Sequence, residues 1–307
     1  MVDLVVAIPT FRRPRSLARL LEALEKLETE ARVTVVVADN DAVRHEGYDL
    51  CLKFRGYRWP LEAVIAPERG IAQVRNVLVE RALAHRNAQF VAMLDDDEWP
   101  STQWLDQFLR VQRETCADAL QGSILFELAC PTCSWAAGFD GTSSIRRPSR
   151  VQPMLEGAGN LLLTRACLES LEAPWFDPAF ALTGGEDRDF FERLARSGKR
   201  FAWADEAVAH TIVPASRTGL GWMLKRAYRI GNTDMRIFLK HRPGYSARAG
   251  ECAKIALALL LSPFLFVILA AVPNRAADAL RRFSRNLGKI AALLGRHYNE
   301  YAVTHGE

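Results

Sequence analysis

Residues 95–98 read Asp-Asp-Asp-Glu, directly after the apolar run Phe90-Val91-Ala92-Met93-Leu94. Adjacent carboxylates at the end of a buried strand repel one another, and a divalent cation with oxygen ligands offsets that repulsion most simply. In an extended segment, Asp95 and Asp97 would point one way and Asp96 the other. A second acidic group, Gly184-Gly185-Glu186-Asp187, stands before a helical pattern that runs through Ser197 and is closed by Gly198. A carboxylate there suits either a helix cap or general-base work. His210 follows the strand-like stretch Ala202–Ala209, where an imidazole could serve as a third metal ligand. Arg217 and the helix over Trp222–Arg229 could grip an anion with a guanidinium fork. Cys130-Pro131-Thr132-Cys133 is one Cys-x-x-Cys pair with no second pair and no nearby His, too few ligands for zinc.

These residues need a frame. Leu4–Ile8 and Val33–Ala38 read as strands buried on both faces, ending at Pro9-Thr10 and at Asp39-Asn40-Asp41. Between them Ser16 opens a helix striped with Leu17, Leu20, Leu21, Leu24 and Leu27. Helices follow over Ile71–His85 and Thr102–Thr115, and strands over Gln89–Leu94, Ala119–Leu128 and Leu161–Thr164. This alternation predicts an α/β fold around a mixed, mostly parallel, Rossmann-like sheet flanked by helices. Function in such sheets lies at the carboxyl ends of the strands, where the polar residues cluster. No Walker motif occurs, and Gly157-Ala158-Gly159 lacks the third glycine and comes too late for a dinucleotide fingerprint. Cys130–Pro153, rich in Pro, Gly, Ser and Arg, reads as a long mobile loop.

Charge divides the chain. Residues 1–216 carry a net −6 and residues 217–307 a net +10. The basic tail also holds Ile255–Val272, 18 residues without a charged side chain, interrupted by Ser262-Pro263. An acidic front with a basic, apolar back argues against nucleic acid and for an anionic membrane surface. The run is at the short end of what crosses a bilayer, so a span, a re-entrant helix-break-helix and a buried core helix all remain open. The six dispersed cysteines read as reduced core thiols, and Met1–Thr10 is too short for a secretory signal. Two regions are expected: an α/β domain over residues 1–230 and a helical, basic, membrane-associated region over residues 231–307.

Five segments, in order, resemble the motifs of family 2 glycosyltransferases. They are Val6–Pro14 with its Pro-Thr-Phe-Arg-Arg, Val35–Asn40, Gly70–Asn76, Met93–Asp97 and Gly185-Glu186-Asp187. The resemblance covers about residues 3 to 230 and implies a GT-A fold and inverting transfer from a nucleotide-diphosphate sugar, UDP-linked in the usual case. It implies that Thr10 and Arg12 contact the nucleotide, that Asp39 accepts a hydrogen bond from the base, and that Arg75 lies near base or diphosphate. Asp95, Asp96 and Glu186 would line the nucleotide sugar, with Asp95 at the ribose or the metal's water shell. Asp97, with Asp95 and His210, would hold Mg²⁺ or Mn²⁺. Asp187 would be the general base, and Asp189 would belong to the helix surface. Gly159 and Asn160 resemble a stretch near donor sugar and acceptor; a tight turn explains them equally well. The Gln-x-x-Arg-Trp motif of processive synthases is missing, which favours single-sugar transfer to a glycan or glycolipid acceptor at the cytoplasmic face of the membrane. The resemblance is strongest to enzymes that build bacterial exopolysaccharides. Transfer to a polyprenyl phosphate, which needs no base, and an inactive sugar-nucleotide-binding module are the alternatives.

Overall fold

The computed structural model describes residues 1–129 and 144–299. In chain order it holds β1 (Asp3–Thr10), α1 (Pro14–Glu25), β2 (Arg32–Asp39), α2 (Glu46–Cys51), β3 (Leu61–Ile65), α3 (Ile71–Ala84) and β4 (Phe90–Met93). Then come β5 (Glu98–Pro100), α4 (Trp104–Thr115), β6 (Ala119–Leu128), β7 (Arg150–Gln152), β8 (Leu161–Thr164) and α5 (Arg165–Glu169). α6 (Glu186–Arg196), β9 (Phe201–Val213), α7 (Leu220–Lys240), α8 (Tyr245–Ile268) and α9 (Pro273–Leu293) complete it. The strands form one sheet in the order β3-β2-β1-β4-β8-β6-β9-β5, with β7 also paired to β9. β1 to β4, β6 and β9 run one way; β5, β7 and β8 run the other. The sheet is therefore mixed and mostly parallel, flanked by helices, as the sequence predicts.

β1 lies between parallel neighbours β2 and β4, and its residues alternate between two cores. Leu4, Val6 and Ile8 pack with Leu17, Leu20 and Leu24 of α1 and Trp104 and Phe108 of α4. Val5 and Ala7 pack on the other face with α3 and with Phe190 and Phe191 of α6. Because Thr10 pairs with Asp39 and Ala7 with Met93, the polar tips of β1, β2 and β4 stand side by side at one edge of the sheet.

Several expectations are corrected. Arg13, not Ser16, takes the cap position of α1, with Pro14 pre-setting the first turn and no side-chain cap. Within the expected loop over Cys130–Pro153, residues 150–152 form β7; residues 130–143, with the Cys-x-x-Cys pair, lie outside the described residues. His210 sits inside β9 rather than at a strand end. Cys51 and Cys167 are buried free thiols, but Cys116 and Cys252 are exposed. Ser262-Pro263 does not break the apolar run: α8 continues through it, and the Ser262 hydroxyl donates to the Ala258 carbonyl at 2.6 Å.

α7 runs unbroken across residues 230 and 231, where the two regions were expected to part, and it is stitched to the α/β core. Lys240 pairs with Asp189 at 2.6 Å and with Asp177 at 2.7 Å, and Arg236 donates to Thr183 Oγ1 at 2.6 Å. Asp189 is completely buried and also holds Arg193 at 3.0 Å; it anchors α7 and is not a surface residue. α7 and α9 meet backbone to backbone. A Cβ on Gly231 would strike the Arg285 carbonyl, and one on Gly288 the Tyr228 carbonyl. On helix propensity alone Gly231→Ala would gain about 1 kcal/mol. Here it is expected to lose about 1–3 kcal/mol through overpacking, read as a lower urea midpoint. A higher midpoint would show that the helices do not meet at this glycine.

Candidate active site

β4 ends in a turn. The Glu98 N–H donates to the Asp95 carbonyl at 3.0 Å, so residues 95–97 are not extended. Glu98 is buried, and its carboxylate accepts the N–H groups of Asp95 at 3.3 Å and Asn160 at 3.2 Å. Asp96 turns inward against the tip of β1. It accepts from the Thr10 hydroxyl at 2.9 Å, the Phe11 N–H at 3.3 Å and Arg13 at 3.0 Å. The same Arg13 nitrogen donates to Asp97 at 2.9 Å. Asp95 and Asp97 keep 38% and 29% of their side chains exposed.

Arg75, on α3, crosses the crevice. One of its nitrogens donates to Asp95 at 3.0 Å, and another pairs with Glu186 at the start of α6. Arg75 and Glu186 are both buried. The second carboxylate oxygen of Glu186 is buried with no hydrogen-bond partner. Asp187, next in sequence, is half-buried; its Oδ1 accepts from the Arg188 N–H at 2.7 Å. Its Oδ2 lies 3.6 Å from where a Cβ on Gly157 would stand. Gly185 starts α6 with φ +94°, a left-handed conformation that favours glycine. A Cβ there would also collide with Thr233 of α7.

The site gathers Asp95, Asp96, Asp97, Glu98, Glu186 and Asp187 around Arg13 and Arg75. Burial pushes Asp96 up to about 7, against the pull of Arg13 and with a further push from Asp97. Burial likewise pushes Glu186 up to about 7, Arg75 opposing and Asp187 adding. Glu98 is held well above the usual range by burial and then by Asp95 and Asp97. Burial is the main cause at all three, and neighbouring carboxylates add to it.

The predicted residues fall into two groups. Asp95, Asp97, Gly159, Glu186 and Asp187 come together: a Cβ on Gly159 would lie 2.8 Å from Glu98 Oε1 and 3.3 Å from Asp95 Oδ2. Arg12 stands at the rim, 35% exposed and paired with Asp41 at 2.6 Å, its guanidinium 4.9 Å from the Phe11 ring centre. Asp96 and Arg75 are engaged within the site, with Thr10 against Asp96, and the side chains of Asp39, Asn160 and His210 are committed to partners outside it. Thr10 and Asp96 are buried against each other. Asp39 is buried and accepts the N–H groups of Asp41, Gly47 and Tyr48, so it braces the turn after β2, and contact with a base would require its exposure. Asn160 is fully buried and pins Trp104, Ser123 and Ala207. Arg75 is a buried bridge between two carboxylates. Arg217 lies in a short 3-10 turn before α7. His210 stacks on Trp99 at 5.7 Å and faces Glu127 at 3.6 Å, not the aspartates. Sequence reasoning missed Arg13 and Glu98; the second arginine of Phe-Arg-Arg and the fourth acid of Asp-Asp-Asp-Glu were the available signals.

Among the described residues no group of three or more His, Cys, Asp or Glu is arranged to hold a metal. Mg²⁺ is commonly held by one or two carboxylates plus substrate phosphates and water. The partly exposed Asp95 and Asp97 fit that mode; His210, which faces Glu127, does not.

Residues 5–150 match the family model described as glycosyl transferase family 2. The chain is 30% identical over 306 residues to the succinoglycan biosynthesis protein ExoM of Rhizobium meliloti, covering 94% of this chain and 92% of that one. Solved structures share the fold. A mannosyltransferase from Pyrobaculum calidifontis, in complex with GDP-Man and Mn²⁺, superposes with a TM-score of 0.62 at 18% identity, over 96% of this chain and 88% of that one. TarS residues 1–349 from S. aureus, in complex with UDP, gives 0.52 at 16% identity, over 97% and 93%. With a carboxylate-lined crevice at the strand tips and a relative of this identity along nearly its whole length, the chain belongs to glycosyl transferase family 2 and is a glycosyltransferase of the exopolysaccharide-synthesising kind.

Proposed function

We propose that this enzyme transfers one sugar, with inversion, from a UDP-linked donor to a hydroxyl of a lipid-linked or cell-surface glycan at the cytoplasmic face of the membrane. The observation that carries the reading is the Arg75 bridge. It ties Asp95, at the donor end of the crevice, to Glu186, beside Asp187, so an acid-lined phosphate site and a candidate base share one crevice. Asp187, with its half-buried carboxylate in the first turn of α6, takes the proton of the acceptor hydroxyl. The freed oxygen bonds to the anomeric carbon from the face opposite the diphosphate. The carbon–diphosphate bond breaks, and its electron pair leaves on the diphosphate oxygen. Asp95 and Asp97 would hold Mg²⁺ or Mn²⁺, which when bound offsets the charge developing on the leaving diphosphate. Arg12, at the rim, would meet the nucleotide. Arg13 keeps Asp96 and Asp97 in place, and Gly159 leaves room beside Asp95. Residues 1 to about 240 form the catalytic part, and the basic helices beyond hold it at the membrane. Support for a nucleotide-sugar donor comes from the fold neighbours solved with UDP and with GDP-Man; support for the acceptor comes from the ExoM likeness.

Asp187→Asn is nearly isosteric but accepts no proton. It should lower kcat by roughly 10²–10⁴ with donor affinity little changed. An unchanged kcat would remove Asp187 as base and favour an already ionised phosphate acceptor. Asp97→Ala should abolish nucleoside diphosphate release that depends on Mg²⁺ or Mn²⁺ while leaving the circular dichroism spectrum intact. Wild-type turnover that survives chelation would defeat the metal role. Stability should also follow pH. Folded Asp96 and Glu186 hold protons that the unfolded chain has already lost, so their contribution falls as pH rises from about 4 to about 7 and is flat above. Glu186→Gln should flatten part of that slope in Tm; an unaltered slope would mean that Glu186 is ionised throughout.

A further inference from the structure

α8 is the most apolar helix among the described residues, with a mean hydropathy of 2.0 over its best 18-residue window, yet only 11% of that window is buried. Burial is confined to a seam, Ile255 and Ser262 with the partly buried Leu259 and Phe266. Around the rest of the helix Leu257, Leu260, Leu261, Phe264, Val267 and Ile268 are 44–74% exposed. A core helix does not leave such a face uncovered.

Composition alone would let α8 cross a bilayer. Its neighbour forbids that. α8 and α9 are joined by residues 269–272, and the Glu251–Lys289 pair at 2.5 Å fixes the two helices as an antiparallel hairpin. The part of α9 alongside residues 257–268 therefore includes Asp278, Arg281 and Arg282, with Arg285 just beyond. Asp278, Arg282 and Arg285 are exposed. Arg285 is paired with Asp234 of α7 at 2.5 Å, and α7 is stitched to the catalytic core. Standing α8 upright in the bilayer would take these charges into hydrocarbon, or else strip α9 from the glycine contact with α7.

Resting on the reading of the C-terminal helices as the membrane-facing part, we infer that α8 lies flat in one leaflet of an anionic bilayer. The exposed face reaches the acyl boundary and α9 lies above it, between lipid and catalytic domain. The occupant is lipid rather than protein on grounds of charge. Residues 242–296 hold nine Lys and Arg against two Asp and Glu, which complements anionic headgroups and opposes a second copy of the same surface. Both ends of the hairpin, and the chain beyond it, then stay on the catalytic side.

The test uses the full chain. Wild type should float with vesicles of phosphatidylcholine and phosphatidylglycerol, and far less with phosphatidylcholine alone. Phe264→Glu, and separately Leu260→Glu, should weaken flotation at least about tenfold, with metal-dependent donor hydrolysis in solution unchanged. A C-terminal green fluorescent protein should fluoresce in cells, and a C-terminal alkaline phosphatase should stay inactive, placing the terminus on the catalytic side. An active phosphatase fusion would mean a span and overturn the inference. Equal flotation of wild type and both variants, or no flotation, would also overturn it. So would a vesicle-independent dimer that Phe264→Glu converts to monomer. Donor hydrolysis is scored separately. If wild type hydrolyses no donor, the catalytic reading fails while the flotation result stands; if it hydrolyses donor but spans, only the flat seating fails.

Discussion

Like charges gathered in one place set the terms for the rest of this molecule. Six carboxylates converge at the strand tips, and in a partly dry crevice their repulsion would open the site unless something positive were fixed between them. Two arginines do this from different directions. Arg13, at the cap position of α1, holds Asp96 and Asp97 with one nitrogen. Arg75, on α3, reaches Asp95 with one nitrogen and Glu186 with another. Each lies on a helix packed against a different face of the sheet, so both layers are needed to close the crevice. Even so, burial holds Asp96 and Glu186 above the usual carboxylate range.

Much of the frame was legible because apolar periodicity states it directly. The run Leu4–Ile8 has no polar interruption, and alternate residues feed two cores. The α1 leucine stripe and β6 fell where the pattern put them. The reversed strands were less so: β5 and β7 are three residues each and make sense only against β9, far away in sequence. In the site, residue type revealed location better than orientation. Asp95, Asp97 and Asp187 reach the crevice, but Asp39, Thr10 and Asn160 sit at the same strand tips and turn inward, because nearby backbone N–H groups and buried neighbours claim their polar atoms first. Spacing cannot show that competition. Asp189 misled for a related reason: a carboxylate on an exposed-looking helix is buried once Lys240 arrives from 51 residues away.

The expected division at residue 230 rested on the reach of the family resemblance, close to where the net charge changes sign after residue 216. The backbone does not follow it. α7 belongs to both halves, with its later turns facing the α/β core through Thr233, Arg236 and Lys240 and its glycine contact facing α9. A charge difference along a chain marks what each part meets in solvent; packing marks what each part meets in the protein. Here the two boundaries fall in different places.

That displacement bears on how the enzyme could be shortened. A fragment ending at residue 230 would keep every residue of the crevice and still lose the side chain that packs over Gly185. Asp189 would stay at the bottom of α6 without Lys240, a buried anion with half its counter-charge removed. The shortest chain that leaves α6 seated therefore ends beyond Lys240, and a cut placed at residue 230 falls ten residues too early.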